Sequence, residues 1–257
     1  LGIVRNITFL DDDFKEKHPE VEIDKKSDSP EEDKSIGDST SLKPVLQDFL
    51  NMHPDTSLNT FIGDSIFDTY DTYPFLLNEC GFEKAIIPLN PRNSNPELLK
   101  PGFDESGRPL CPKDGTPFKY AYPCRGKGRT PRDKWECPKI TWVKGKRVCT
   151  CEDPCTPSPS GRMVYTYPHQ DLRTYPGIIR DSDEWNTLYD LRCKVEQNIQ
   201  YFKEPMAVGS PKTRDRLTIK ADVYLAGITQ LVTVILADLL NKPKASYRLM
   251  LNLLYTY

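Results

Sequence analysis

Residues 60–89 read TFIGDSIFDTYDTYPFLLNECGFEKAIIPL, and this stretch decides which class of fold the chain can adopt. Its pattern is a short apolar run, Thr60–Ile62, then a helical segment, Tyr73–Cys80, then a second apolar run, Ala85–Leu89. A strand, a helix and a strand at this spacing predict two parallel strands in an α/β fold. Ligands of such sheets bind beyond the carboxyl ends of the strands, which is where Asp64 falls.

The sequence upstream of this unit predicts two further elements. Leu1–Leu10 is apolar and favours a strand, whereas residues 11–40 are polar and acidic and favour a loop. Ser41 is a good N-cap for a helix that continues to Asn51, with Pro44 tolerated in its first turn.

The sequence downstream changes character twice. Residues 90–180 hold six of the eight cysteines and show no long period, which indicates an inserted, loop-rich subdomain. Helical periodicity begins at Asp183, an expected N-cap, and continues to Lys203; another helix covers about 217–240. The predicted divisions of the chain are therefore residues 1–89, 90–180 and 181–257.

The second of these helices contains a long apolar run, Val223–Leu240, which approaches the length of a membrane span. Thr229, Gln230 and Thr233 interrupt it, and acidic residues flank it. We therefore expect a buried core helix rather than a membrane segment.

Charge is distributed unevenly along the chain, although the formal net charge is only −2. Asp11–Asp38 holds 12 acidic and 5 basic residues, whereas Cys111–Thr150 holds 11 basic and 3 acidic ones. A localised basic segment is typical of nucleic-acid binding, and a solvated, loop-rich surface is the alternative reading of the same charges.

The segment 189–203, YDLRCKVEQNIQYFK, carries the most informative pattern of polar residues. On one helix of about 100° per residue, four of them share an arc of roughly 60°, beside an apolar stripe expected to face the core. The four are Tyr189, Arg192, Glu196 and Lys203.

This spacing, Tyr-x2-Arg-x3-Glu-x6-Lys, resembles the Y-R-E-K signature of DDE-type insertion-sequence transposases. The segment Gly63–Asp68 (GDSIFD) resembles the region around the second Asp of the same family, as does Ile86–Asn93 (IIPLNPRN). Ile219–Asp238 resembles the family's apolar C-terminal helix. The resemblance implies an RNase H-like α/β fold, incomplete at its N-terminus, with a cysteine-containing insertion before the helix of the catalytic Glu.

The resemblance also implies a function and a set of site residues. Transposases of this type hydrolyse and transfer DNA strands with two divalent ions about 4 Å apart, which hard oxygen ligands hold. Asp64 and Glu196 would be catalytic carboxylates and ligands of Mg²⁺ or Mn²⁺, and Tyr189, Arg192 and Lys203 would contact DNA. The implied partners are transposon-end and target DNA and a second copy of the chain, in a prokaryotic cytoplasm beside the nucleoid and without a membrane. A surface pair of Glu196 with Arg192 is the alternative reading of the helix.

A DDE enzyme needs a third carboxylate, and the resemblance places it on a strand upstream of Leu1. Asp11–Asp13 could replace this first Asp, but they follow a different predicted strand from the one that carries it in the family. We therefore expect the chain alone to be inactive. A remnant that binds DNA or zinc without cleaving is the second hypothesis, and a nuclease on the same fold is the third.

The cysteine-rich insertion suggests a site of its own. Clustered thiols in a cytosolic protein favour a structural Zn²⁺ over disulfides, and reduced free thiols are the alternative. The candidate ligands are Cys111, Cys124, Cys137, Cys149, Cys151 and Cys155. The insertion is also the best candidate for additional DNA contact, since it places cations beside Tyr122 and Trp135. Those cations are Arg125, Lys127, Arg129, Arg132 and Lys134.

Overall fold

The structure is a computed structural model, and it describes residues 3–21, 36–93, 100–206 and 208–240. The chain folds into two compact units. The first unit combines Leu1–Pro54 with Asp190–Tyr257, and the second is Asp55–Tyr189. The predicted divisions after residues 89 and 180 both fall within the second unit.

The second unit begins with the predicted strand–helix–strand motif. Strands β1 (Thr60–Ile62) and β2 (Lys84–Ile86) are parallel, with Thr60 opposite Lys84 and Ile62 opposite Ile86. The helix between them starts as α3 (Thr72–Pro74) and widens into a π-turn at Phe75–Glu79. The prediction of a parallel α/β unit is therefore confirmed.

The second strand ends three residues earlier than predicted. The carbonyl of Ile87 accepts a hydrogen bond of 2.6 Å from the Arg180 guanidinium instead of from a neighbouring strand. A side chain distant in sequence thus replaces the sheet partner, and a strand pattern cannot reveal this.

The insertion contains more regular structure than its sequence predicts. Strands β3 (Lys119–Cys124), β4 (Arg132–Glu136) and β7 (Met163–Thr166) form an antiparallel sheet in the order β3-β4-β7, and β5 (Ile140–Val143) and β6 (Lys146–Cys149) form a hairpin. The sequence analysis predicted none of these strands, although most of the insertion lies in the loops between them. An irregularity between Tyr120 and Tyr122 breaks the alternation of β3, which weakens the strand signal.

This sheet has its own hydrophobic core. Trp135 is 1% exposed and donates its indole N–H to the Thr166 hydroxyl at 2.9 Å. The buried members of the core are Cys111, Phe118, Trp135, Cys137 and Tyr175. The second unit ends with α4 (Asp183–Tyr189), whose Trp185 packs with Ile86 and Ile178.

The first unit is built from four helices among the residues described: α1 (Asp12–Lys17), α2 (Asp38–Met52), α5 (Cys193–Lys203) and α6 (Arg216–Leu239). Helix α2 starts three residues before the predicted N-cap, so Ser41 lies inside it and its hydroxyl donates to the Asp38 carbonyl at 3.0 Å. Pro44 consequently lies in the second turn rather than the first. Of the predicted acidic loop, residues 12–17 are helical and 22–35 lie outside the described residues.

The N-terminal segment does not form the predicted strand. Residues 3–10 run beside α6: the amide of Val4 donates to the Gln230 side chain at 2.9 Å, and Phe9 packs edge-to-face on Tyr224 at 5.4 Å. Since its apolar side chains pack on a helix, this segment has no strand partner within the described part of the unit.

Helix α6 occupies the predicted range, but the expectation that it is a buried core helix was wrong. Only 22% of its most apolar window is buried, and Leu225, Ile228 and Ile235 are each more than half exposed. Among the described residues it is the one helix long and apolar enough to cross a membrane, a test that core helices of soluble proteins also pass.

The helix predicted for 183–203 is interrupted. Helix α4 ends at Tyr189, a 3₁₀ turn spans Asp190–Arg192, and α5 begins at Cys193. Ser182 rather than Asp183 caps α4, because its hydroxyl accepts from the amide of Trp185 at 3.1 Å.

The described residues combine helices with parallel and antiparallel strands, which confirms the predicted mixed α/β class.

Candidate active site and nucleic-acid surface

Asp64 lies at the carboxyl end of β1, as predicted. Gly63 continues the pairing of the strand through a 3.0 Å bond from its amide to the Ile86 carbonyl, and the chain then turns. Asp64 caps the short 3₁₀ turn Ser65–Phe67 by accepting the Ser65 amide at 2.6 Å. The carboxylate is exposed, so it faces solvent at the strand end where α/β folds bind ligands.

Packing fixes the backbone just before this carboxylate. A Cβ atom on Gly63 would lie 2.7 Å from the Phe61 ring and 3.1 Å from the Phe67 ring. Only glycine therefore lets the aromatic residues on both sides close over the turn that presents Asp64.

A buried carboxylate four residues later anchors the same turn. Asp68 is 0% exposed and accepts the Tyr73 hydroxyl at 2.6 Å and the Asn90 amide at 2.7 Å. Arg173 donates to it from two nitrogens on one edge of its guanidinium, Nε at 3.0 Å and Nη2 at 2.6 Å. This bidentate pair neutralises the buried charge and ties the turn to a loop 105 residues away.

Arg180 extends this buried network. It donates to the Tyr73 hydroxyl at 2.9 Å and to the backbone carbonyls of Ile87 and Arg173. Burial, together with the neighbouring Asp68, raises the pKa of Tyr73 far above its usual value, so its hydroxyl stays protonated and donates to Asp68. Sequence reasoning missed Asp68, Arg173 and Arg180, because nothing local in the sequence links residues so far apart.

Glu196 occupies a much less constrained position. It lies in the first turn of α5 with its side chain 66% exposed, and Arg192 pairs with it at 3.5 Å. Lys203 is exposed at the end of the same helix. The predicted apolar stripe is largely uncovered, since Leu191, Val195 and Ile199 are each about half exposed.

The predicted four-residue signature is divided between the two units. Tyr189 ends α4 in the second unit, where it packs beside Ile86 and Trp185. Arg192, Glu196 and Lys203 belong to the first unit. Asp64 and Glu196 likewise lie in different units, so a metal site shared by the two carboxylates remains a prediction.

No protein-family model, curated protein or solved structure matches this chain. The likeness to DDE-type transposases therefore rests on the motifs themselves.

Three of the five predicted DNA-binding cations of the insertion contact other side chains, and two lie exposed in a loop. Lys134 is only 5% exposed; its ammonium contacts Glu136 at 2.9 Å and the Tyr122 hydroxyl at 3.1 Å. Arg125 pairs with Asp133 at 3.0 Å, and Arg132 stacks on the Tyr165 ring at 4.2 Å.

The remaining two cations, Lys127 and Arg129, lie exposed in the loop that joins β3 to β4. Tyr122 is 47% exposed on the adjoining strand, whereas Trp135 is buried and offers no stacking surface. This loop, the tip of the β3–β4 hairpin, is thus the part of the predicted basic surface that is most accessible to a polyanion.

Five of the six insertion cysteines, all except Cys124, lie in three connected segments: around Cys111, around Cys137, and from Cys149 at the end of β6 to Cys155. Hydrogen bonding to Cys149 raises the pKa of the Cys151 thiol to about 11, and burial together with Cys111 raises the pKa of Cys155. Cys137 belongs to the buried core cluster of Cys111, against which Cys155 packs. Within the described residues, no three His, Cys, Asp or Glu side chains already converge closely enough to hold a metal ion.

Proposed function

We propose that this chain is the greater part of the catalytic domain of a DDE-type DNA transposase, with Asp64 and Glu196 as two of its three metal-binding carboxylates. The observation that carries the proposal is the pairing of two motifs: an exposed Asp directly after a parallel strand, and a Glu in the Y-R-E-K order on a later helix. An RNase H-like core, a homodimeric complex with DNA and a prokaryotic cytoplasmic location follow from the same resemblance.

The carboxylate oxygens of Asp64 and Glu196 are the chemical type of ligand that the proposed metal requires. Carboxylate oxygens are hard ligands of the type that Mg²⁺ and Mn²⁺ prefer, and both candidate carboxylates are exposed. When bound, two such ions activate the attacking oxygen and stabilise the leaving one. The resemblance leaves one ligand, the first Asp, without an assigned residue in the chain.

The chain's own residues would bind and orient the DNA. Asp64 would be held in place by the turn that Asp68 anchors, so the strand side of the site is preorganised. Arg192 and Lys203 would contact phosphates, Arg through paired donors and Lys as a point charge. The exposed cations at the β3–β4 hairpin tip would bind further phosphates.

The alternative is a remnant that binds DNA or zinc without cleaving. One observation favours it: Arg192 pairs with Glu196 at 3.5 Å, as a surface ion pair would.

The decisive experiment measures Mn²⁺-dependent nicking of labelled transposon-end DNA. The chain and a version extended by the sequence encoded upstream are compared, each also as Asp64→Asn and Glu196→Gln. We expect the extended protein to cut and both substitutions to abolish cutting, whereas the exposed controls Asp71→Asn and Glu204→Gln retain it. An extended protein that binds DNA and never cuts would contradict the enzyme and support the remnant.

DNA affinity gives a second readout that is independent of cutting. Each phosphate contact contributes about 0.9 to the slope of log affinity against log salt concentration on duplex DNA. Replacing both Lys127 and Arg129 with Ala should therefore lower that slope by about 2 if both bind phosphate. An unchanged slope would exclude the hairpin tip from the DNA surface.

A further inference from the structure

We propose that the insertion binds one structural zinc ion through Cys111, Cys137, Cys155 and one thiol of the pair Cys149 and Cys151, and that Cys124 takes no part. The sequence offers six candidate thiols and no means of choosing among them. The arrangement of the segments that carry them narrows the choice, and it does so independently of the proposed transposase activity.

The strand pairing separates Cys124 from the other thiols. Cys124 ends β3 opposite Arg132, whereas Cys137 directly follows Glu136 at the other end of β4. The four residue steps from Arg132 to Glu136 span about 13 Å of strand. Two thiolates on one zinc lie no more than about 4.6 Å apart, because each Zn–S bond is about 2.3 Å. Cys124 and Cys137 therefore cannot share an ion.

Three loops carry the remaining thiols, and polar contacts join them. Lys113, two residues after Cys111, pairs with Asp153 of the 149–155 loop at 2.7 Å. Lys139, two residues after Cys137, pairs with Asp114 of the first loop. The amide of Thr150 donates to the Lys139 carbonyl at 3.1 Å, which fixes the third loop beside the second. Each loop is thus tied to the other two.

The first two loops also resemble each other in local structure. Both begin Cys-Pro-Lys, and in both the Cys carbonyl accepts a backbone amide: Gly115 bonds Cys111 at 2.8 Å, and Ile140 bonds Cys137 at 3.2 Å. Both cysteines are buried, 5% and 4% exposed, within the hydrophobic core of the sheet, and Cys155 packs against that core. Tight turns of this kind hold a thiol at a fixed position while the backbone curves around it.

The buried core of the sheet thus gathers three thiols, those of Cys111, Cys137 and Cys155. Cys149 and Cys151 flank Thr150, whose hydrogen bond to Lys139 holds this segment beside Cys137, so either can supply the fourth sulfur. Zn²⁺ would displace the four thiol protons on binding. Arg162, whose guanidinium lies 3.5 Å from the Cys155 carbonyl oxygen, would offset part of the double negative charge of such a site.

The test uses the whole chain, purified reduced in the presence of zinc and then dialysed against a weak chelator. We expect about one zinc per chain by elemental analysis, lost in the Ser variants of Cys111, Cys137 and Cys155 and in the double variant Cys149→Ser/Cys151→Ser. The matched control Cys124→Ser should keep it. Loss of zinc in Cys124→Ser, or its retention in Cys111→Ser, would overturn the ligand set.

A second measurement uses the unsubstituted chain, so it remains informative even if the Ser variants do not fold. Co²⁺ replacing zinc should give the intense visible and near-ultraviolet bands of a tetrahedral four-thiolate site. A spectrum of oxygen-coordinated Co²⁺, or a Cys111–Cys155 disulfide in a chain that retains no metal, would refute the zinc site.

Discussion

Asp68 and Glu196, two carboxylates near the proposed chemistry, show how differently the two units hold charge. In the second unit Asp68 is fully buried and accepts hydrogen bonds from Tyr73, from Asn90 and from two guanidinium nitrogens of Arg173. In the first unit Glu196 is 66% exposed and has one long ion pair with Arg192. Buried hydrogen bonds therefore fix the turn that presents Asp64, whereas Glu196 lies in solvent beside a surface ion-pair partner.

The largest effect is expected from removing the buried charge. Asp68→Ala leaves the Arg173 guanidinium, only 11% exposed, without its counter-ion, and should destabilise the second unit by about 3–5 kcal/mol. Denaturant unfolding followed by tryptophan fluorescence measures this, since Trp135, Trp142 and Trp185 all lie in that unit. The exposed neighbour Asp71→Ala should change stability by less than about 0.5 kcal/mol. Equal effects of the two substitutions would show that the network carries no stability.

A second test addresses the packing behind β2. Gly177 has φ +78°, and a Cβ atom there would lie 2.0 Å from the Glu83 carbonyl oxygen. Gly177→Ala should cost the strain of the left-handed backbone, about 1–2 kcal/mol, plus that of displacing β2. Gly115→Ala provides the matched control, because φ is +71° but no atom lies within 4 Å of the added methyl group. If both variants unfold at the same denaturant concentration, the close approach to β2 is unimportant.

A third test concerns a carboxylate of intermediate exposure. A hydrogen bond from Lys220 lowers the pKa of Asp11 below its ordinary 3.8. Because the folded pKa is depressed, the stabilisation is complete above pH 3.8 and is lost as the pH falls through the folded pKa. The contribution should be at most about 1 kcal/mol for a pair at the surface. An NMR titration of the Asp11 carboxyl should give a midpoint below 3.8, and Lys220→Met should raise it. A midpoint unchanged by that substitution would exclude the pair.

The smallest effect on stability is expected at Glu196. Since the side chain is 66% exposed, Glu196→Gln should change the free energy of unfolding by less than about 0.5 kcal/mol, as Glu204→Gln should. Hydrogen exchange of the α5 backbone amides measures the stability of this helix in both variants. A large loss of protection in Glu196→Gln alone would mean that Glu196 stabilises the helix, and a loss of nicking could then not be assigned to chemistry.

The sequence predicted the parts of the fold that local patterns specify. Strand β1, the parallel pairing with β2 and the ranges of α2 and α6 follow from apolar period, turn residues and length. The strands of the insertion were missed, because they are short, rich in charge and interrupted by an irregularity at Tyr120 and Tyr122. Their pairing is set by partners distant in sequence rather than by their own alternation.

The candidate site shows the same limit. Asp64 was found because it directly follows a strand, and Glu196 because four spaced residues share a signature. The residues that hold the Asp64 turn were not found, since Asp68 and Arg173 are 105 positions apart and each looks like an ordinary surface charge locally. The break of the helix at Asp190–Arg192 also escaped prediction, because helical periodicity continues through it.

The distance between Asp68 and Arg173 has a consequence for synthesis of the protein. Tyr73 and Asn90 leave the ribosome soon after Asp68, but its cationic partner follows 105 residues later. At 5–20 residues per second that interval is roughly 5–20 seconds. We expect the nascent β1 turn to remain solvated, with its carboxylate in water, until the second unit is almost complete. The second unit can then complete its buried ion pair only after Arg173 has been synthesised.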